Sequence, residues 1–233
     1  MIENKSKSAL IVIDMENSFI DEKSPHCIKG AKATIPACSK AIETARKKGI
    51  PVFFVKRIYR SDGSDVEMTR YTGWKNGGRG MGPASTGYNS AQTPEGLKPQ
   101  KGDYTIIKPR WSAFFHTELD LILRRLNIRT VILIGTTTPN CIRTSCYDAN
   151  SLEYNVVLIE DCCSSATPEI QKANIDDMRR MGATIINSDE FEDYDENTVV
   201  DMNGIIFSEI LSQDIAPEEY TEYEKDTGWF DRW

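Results

Sequence analysis

The 233-residue sequence is short of the features that mark several large protein classes. No apolar run approaches the ~18 residues that a membrane-spanning helix needs, and the first eight residues are polar, without the apolar stretch of a secretory signal. Neither membrane insertion nor export is expected, and the expected location is the cytoplasm. Histidine is confined to His26 and His116, so a metal centre would lack ligands; none is expected. The six cysteines form no CxxC pair and no regular spacing, which fits reduced thiols rather than a disulfide framework. The segment after the first apolar run, MENSFIDE, lacks the glycine fingerprint of a dinucleotide-binding turn, so no nucleotide cofactor is expected and an oxidoreductase is disfavoured. No basic stripe interleaved with aromatics is present, and a nucleic-acid partner is excluded on that ground.

What the sequence does have is alternation. Apolar runs ALIVIDM, PVFFVKR, DYTIIK, TVILIG, NVVLIED and ATIINS are separated by helical patterns around Pro36–Lys48, in LDLILRRLNI, after Cys141 and from Thr167-Pro168-Glu169 onward. Strands alternating with helices require right-handed crossovers and a mostly parallel sheet covered on both faces. The expected fold is a single α/β domain over residues 1–188 with a doubly wound six-stranded sheet of order 3-2-1-4-5-6. In that order the first and fourth strands are neighbours at the switch point, where ligands bind beyond the carboxyl ends. A glycine-rich segment from Tyr59 to Gly102 interrupts the rhythm and reads as a functional loop, because the pattern resumes after it.

The switch point brings chemistry with it. Cys141 follows TVILIG on a strand-to-helix turn, where backbone N–H groups and the helix dipole favour a thiolate, the nucleophilic form of cysteine. Inert packing is the competing role for such a residue. Asp14 closes the first apolar run, an expensive place for a carboxylate unless it is paired or functional; capping or loop anchoring is its alternative. Lys108 ends DYTIIK before Pro109, which forces an extended path toward the same rim; a solvated strand-end lysine is the alternative there. A thiol, a carboxylate and an ammonium together supply a nucleophile, a proton acceptor and a cation that favours the charged form of both, a set suited to acyl transfer through a thioester. A Cys–His pair with His116 competes, although His116 sits beside the apolar WSAFF run.

In these segments the sequence resembles the isochorismatase-like cysteine hydrolases, the superfamily of nicotinamidases and N-carbamoylsarcosine amidase. The matching stretches are IVIDMENSF, KPRWSAFFHTELD and GTTTPNCIRTSCYDA, in order, within a similarity running from about Ala9 to Ser188. The resemblance implies Asp14 as general base, Lys108 as third triad member and Cys141 as nucleophile. It further implies a cis peptide at Thr136–Thr137, with the Thr137 and Cys141 amides as oxyanion hole. The TTxxCxRxT pattern and SAFF are closest to the N-carbamoylsarcosine amidase branch, which implies a metal-independent amidohydrolase acting on a small carbamoyl, ureido or linear amide substrate. Metal-dependent nicotinamidases resemble this chain but have histidines after the second strand, where KRIYRSDGSDVEM has none. Glu16 and Ser18 stand where the family pattern has Gln and Asp. A nicotinamidase-like amidase and a catalytically silent binding protein on the same fold are the alternatives.

Four further residues are candidate substrate contacts. Arg110 and Arg143 can clamp a carboxylate bidentately, with a structural ion pair as the equal alternative, and Phe19 and Trp111 can wall a pocket, though aromatics more often serve the core. The acidic stretch Asp189–Trp233 carries fifteen acidic residues against Lys225 and Arg232. It also holds Tyr220, Tyr223, Trp229, Phe230 and Trp233, too many aromatics for an ordinary disordered acidic tail. This extension, residues 189–233, is expected to pack in a homo-oligomer, a dimer or tetramer.

Overall fold

The computed structural model describes residues 6–199 and 201–213. Six parallel strands form one sheet: β1 (Ser8–Ile13), β2 (Val52–Arg57), β3 (Tyr104–Lys108), β4 (Thr130–Thr136), β5 (Asn155–Ser164) and β6 (Thr184–Ile186), in the order β3-β2-β1-β4-β5-β6. The helices are α1 (Asn17–Ile20), α2 (Ile35–Lys47), α3 (Met68–Asn76), α4 (Leu119–Arg125), α5 (Arg143–Ser151), α6 (Pro168–Arg180) and α7 (Met202–Ser212). The expected doubly wound topology is therefore the one observed.

Period-two alternation sends successive strand residues to opposite faces, and both faces are covered. Ala9, Ile11 and Ile13 of β1, with Val131 and Leu133 of β4, pack against Leu119 and Leu123 of α4, Ala149 of α5 and Met178 of α6. Leu10 and Val12, with Ile132 and Ile134, face Ala41, Ile42 and Ala45 of α2. Phe191, completely buried on the α2 side, lies in a short 3-10 turn at Glu190–Asp193 just past β6. The acidic stretch is thus partly integrated: Tyr194 shares a 2.8 Å hydrogen bond with Ser8, and Glu196 accepts from the Ser6 hydroxyl at 2.7 Å and the Lys7 amide at 2.9 Å.

Helix starts follow local chemistry. Thr167 accepts from the Ile170 amide at 3.3 Å ahead of Pro168, the expected cap of α6. At the start of α4 the cap position is Glu118, and Thr117 accepts from the Leu119 amide at 3.3 Å while donating to the Ala113 carbonyl.

Residues 59–102 contain α3 and supply most of a separate cluster, in which Tyr59, Val66, Trp74, Met81 and Ala91 are buried together with Phe19 of α1. Trp74 donates its indole N–H to the Gly80 carbonyl at 2.8 Å. The segment is long because it builds a small satellite core.

The compact unit runs from Met1 to Val200, and Asp201–Trp233 forms a second. In the second, Asp201 caps α7 by accepting from the Gly204 amide at 3.2 Å, and Ile205, Ile206, Phe207, Ile210 and Leu211 are exposed. Tyr220, Tyr223, Trp229, Phe230 and Trp233, on which the expected packing in an oligomer rests, lie outside the described residues. No helix among the described residues is long and apolar enough to cross a membrane.

Candidate active site

Three adjacent strands end in ionisable residues at one rim. Lys108 and Arg57 are register partners closing β3 and β2, and Asp14 follows directly on β1, its amide donating to the Val55 carbonyl at 2.9 Å. Asp14 adopts a left-handed backbone (φ 51°), a region that Asp tolerates better than most residues. Across the switch point, the next-to-last residue of β4 is Gly135, where a side chain has no room: a Cβ would lie 2.0 Å from the Ile13 carbonyl oxygen. Glycine there lets β4 press against β1 as the chain turns toward Cys141. The Thr136–Thr137 peptide is cis, and Thr138–Ile142 forms a single π-helical turn leading into α5, with Cys141 inside it. Ser145, one turn on, donates to the Cys141 carbonyl at 2.6 Å and accepts from the Ala113 amide at 2.9 Å, fastening the WSAFF segment to the turn that carries Cys141.

The charged groups meet in the interior. Lys108 Nζ lies 2.8 Å from Asp14 Oδ2 and donates to the Arg110 carbonyl at 3.0 Å. Arg57 reaches two of the candidate residues: its Nε lies 3.9 Å from Asp14 Oδ2, and its Nη2 donates to Cys141 Sγ at 3.5 Å. Nη2 also donates to the Arg110 carbonyl at 2.9 Å, and Nη1 to the Tyr59 hydroxyl at 3.0 Å and to Glu67. Tyr59 donates in turn to Glu67 Oε2 at 2.5 Å. Glu16 accepts from the Arg57 amide at 2.6 Å. All of these side chains are buried. Asp14 Oδ1, Glu16 Oε2 and Arg57 Nε make no hydrogen bond among the described residues, so the site keeps unused acceptors beside an unused donor.

Burial and the neighbouring Asp14 push the Glu16 pKa well above its ordinary value, favouring the neutral acid. For Arg57, burial opposes the charge, but the Cys141 sulfur, Asp14, Tyr59 and Glu67 around it prevail and hold the guanidinium protonated. Burial likewise works against the charge of Glu67, and the Arg57 guanidinium with the Tyr59 hydroxyl overcomes it, leaving that carboxyl below its ordinary value. Burial raises the Cys146 thiol to about 12, and it puts Cys163 well above the ordinary thiol value.

Of the sequence candidates, Asp14, Lys108 and Cys141 are all linked through Arg57 or to each other, with Thr136 and Thr137 at the turn beside them. The remaining candidates are placed less centrally. Arg110 turns its guanidinium away, to the Asp65 and Pro109 carbonyls at 2.7 Å each. Arg143 pairs with Asp177 at 3.0 Å on the half-exposed faces of α5 and α6. Trp111 is half-buried against the main core, and Phe19 belongs to the satellite core. Phe19, Tyr59, Trp74 and Met81 line a cavity of about 330 Å³ together with His26 and Arg70. Tyr59 therefore touches that cavity on one side and the Arg57–Glu67 pair on the other. Cys141 itself is 3% exposed. Among the described residues no group of three or more His, Cys, Asp or Glu side chains is arranged to hold a metal ion.

Sequence reading missed Arg57, Tyr59, Glu67 and Ser145. A signal existed for Arg57: it continues the alternation of Phe53 and Val55, which face the same core as Cys141.

The isochorismatase domain model matches residues 8–190. The chain belongs to the isochorismatase family. A probable inactive nicotinamidase of Arabidopsis thaliana is 40% identical over 184 residues, 78% of this chain and 93% of that one. A ureidoacrylate amidohydrolase, RutB of Azorhizobium caulinodans, is 31% identical over 186 residues, 72% of this chain and 82% of that one. Among solved structures, N-carbamoylsarcosine amidase from Thermoplasma acidophilum superposes with a TM-score of 0.65 at 30% identity, covering 79% of this chain and 98% of that one. The family resemblance read from the three motifs thus holds, and the chain is an isochorismatase-family hydrolase.

Proposed function

We propose that this hydrolase is a cysteine amidohydrolase that cleaves a C–N bond of a small carbamoyl, ureido or linear amide substrate through a thioester on Cys141, without a metal or other cofactor. The observation that carries the reading is the buried assembly of Asp14, Lys108 and Cys141 around one guanidinium, with Asp14 Oδ1 left free to take a proton. Burying such charges is costly unless they are paired and used.

In this scheme the Cys141 thiol gives its proton to Asp14, and Sγ attacks the substrate carbonyl. The Thr137 and Cys141 amides receive the developing oxyanion. As the tetrahedral species collapses the C–N bond breaks, and Asp14 returns the proton to the departing ammonia or amine. Water then hydrolyses the thioester, with Asp14 again taking the proton and the thiol re-forming. Lys108, 2.8 Å from Asp14 Oδ2, keeps Asp14 oriented between steps. Because the sulfur is almost completely buried, each cycle includes a local opening that admits substrate.

The names of two relatives support the substrate class, since a ureidoacrylate and a carbamoylsarcosine both carry an N-carbamoyl group. A silent protein on the same fold is the second reading, favoured by the 3% exposure of Cys141 and by the word inactive in the name of the Arabidopsis relative. Ammonia release from a panel of ureido acids, N-carbamoyl amino acids, linear amides and nicotinamide decides. Release from the ureido or carbamoyl members is expected. Release from nicotinamide alone would move the assignment to a nicotinamidase, and none from any member would favour the silent reading.

A further inference from the structure

We propose that Arg57 is the positioning residue of this site: its guanidinium aims the Cys141 sulfur and stabilises the negative charge that the sulfur carries once its proton has gone to Asp14. This rests on reading Cys141 as the nucleophile, and it adds a residue outside the Asp14, Lys108 and Cys141 set.

The geometry has three parts. First, Nη2 of Arg57 is 3.5 Å from Sγ, and its Nε is 3.9 Å from Asp14 Oδ2, so one rigid planar cation is shared between the sulfur and the carboxylate. Second, that cation is fixed from behind. Glu67 and the Tyr59 hydroxyl take Nη1, the Arg110 carbonyl takes Nη2, and the Arg57 backbone amide is anchored on Glu16. Third, Arg57 is 0% exposed, so water screens neither contact. An ion pair held away from water shifts the proton equilibrium of its partner far more than a surface pair does.

The charges facing Cys141 come from several elements. Asp14 and Glu16 follow β1, Arg57 and Tyr59 end β2, Glu67 precedes α3, and Lys108 ends β3. From the other side Cys163 of β5 lies in the same core, while Arg143 of α5 is paired outward with Asp177 of α6. Arg57 is the cation hydrogen-bonded to the sulfur. Glu67 competes for that cation, so the two residues exert opposite pulls on the thiol. Removing the Arg57 charge should make the thiolate harder to form, and removing the Glu67 charge should make it easier.

The test needs no substrate. Thiolate absorbance near 240 nm, with Cys141→Ala as the baseline, gives the midpoint of Cys141 ionisation in the folded full chain. Arg57→Gln is expected to raise that midpoint by about one to three pH units, the usual reach of a close opposite charge. Arg57→Lys should recover part of the shift, and Glu67→Gln should lower the midpoint below wild type. A purely structural role for Arg57 would move thermal stability but not these midpoints in opposite directions. If Arg57→Gln does not fold, the sign of the Glu67→Gln shift decides. An unchanged or raised midpoint in Glu67→Gln, or an unchanged one in folded Arg57→Gln, overturns the proposal. Opposed shifts without ammonia release would leave the Arg57 role standing and remove the amidohydrolase assignment. Ammonia release without any shift would do the reverse.

Discussion

Along β1 and β4 the side chains from Ala9 to Ile13 and from Val131 to Ile134 are apolar and at most 1% exposed. One residue beyond β1, and at the last residues of β2 and β3, equally buried positions hold Asp14, Arg57 and Lys108, joined by Glu16 and Glu67. The same sheet thus changes within a single residue step from hydrocarbon to a dense set of charges. The strand interiors gain from burial, roughly 1.5–3 kcal/mol for each large apolar side chain. The rim loses by it, because every charge there must exchange water for a protein partner. The contrast teaches that the rim is not what holds the fold together, and that its charges are maintained by the rigidity of the strands beneath them.

That comparison can be broken from either side. The largest effect is expected from Cys141→Ala, which should lower turnover by more than about 10³-fold while leaving the melting temperature near wild type; steady-state kinetics and calorimetry on the same sample check both. Leu133→Ala in the interior should do the opposite, costing about 2–5 kcal/mol of stability through the cavity it leaves, with the residual folded fraction still active; denaturant titration measures this. Asp14→Asn should lower kcat by about 10²-fold, the usual loss when a positioned proton acceptor is removed. Denaturant titration would show whether its stability change is smaller than that of Leu133→Ala; a larger one would mean that the rim carries the fold after all.

The smallest effect concerns pH. Burial, with Asp14 beside it, raises the Glu16 pKa above its ordinary 4.5. The folded chain then keeps a proton that the unfolded chain has released. The stabilising contribution is complete below pH 4.5 and is lost as pH rises through the raised native value. Glu16→Gln keeps an acceptor for the Arg57 amide and removes the titration. Wild type should therefore lose stability relative to the variant as pH climbs through that window, as thermal melts at a series of pH values will show. Parallel curves would mean that Glu16 does not titrate there.

Much of this was legible in the sequence, for physical reasons. Continuous apolar runs such as TVILIG, short and rich in β-branched residues, read as strands buried on both faces, and their alternation with helices leaves few topologies, so sheet order followed. Asp14 and Lys108 stood out because each interrupts an apolar run at its carboxyl end, and Cys141 because it lies in the turn between β4 and the next helix. Arg57 was harder. It lies in KRIYR among other cations, and only the facing of Phe53 and Val55 separates it from Lys56, which turns to the opposite side. Glu67 carried no local signal, since its partner is ten residues away and is set by how the 59–102 segment folds back. The satellite core of Trp74, Tyr59 and Met81 was hidden for the same reason: its contacts are not periodic along the chain. Ser145 is one of several small polar residues on α5, and its role depends on the approach of Ala113.

The central claim is that Cys141 carries the acyl group. Rapid acid quenching of the enzyme during turnover of whichever ureido, carbamoyl or amide compound releases ammonia, followed by peptide mass spectrometry, tests it directly. The account predicts an adduct on the Cys141 peptide, with the mass of the substrate acyl group, that forms within the first turnover and disappears as substrate is exhausted. Product formation with no adduct on Cys141, together with turnover by Cys141→Ala within tenfold of wild type, would contradict it.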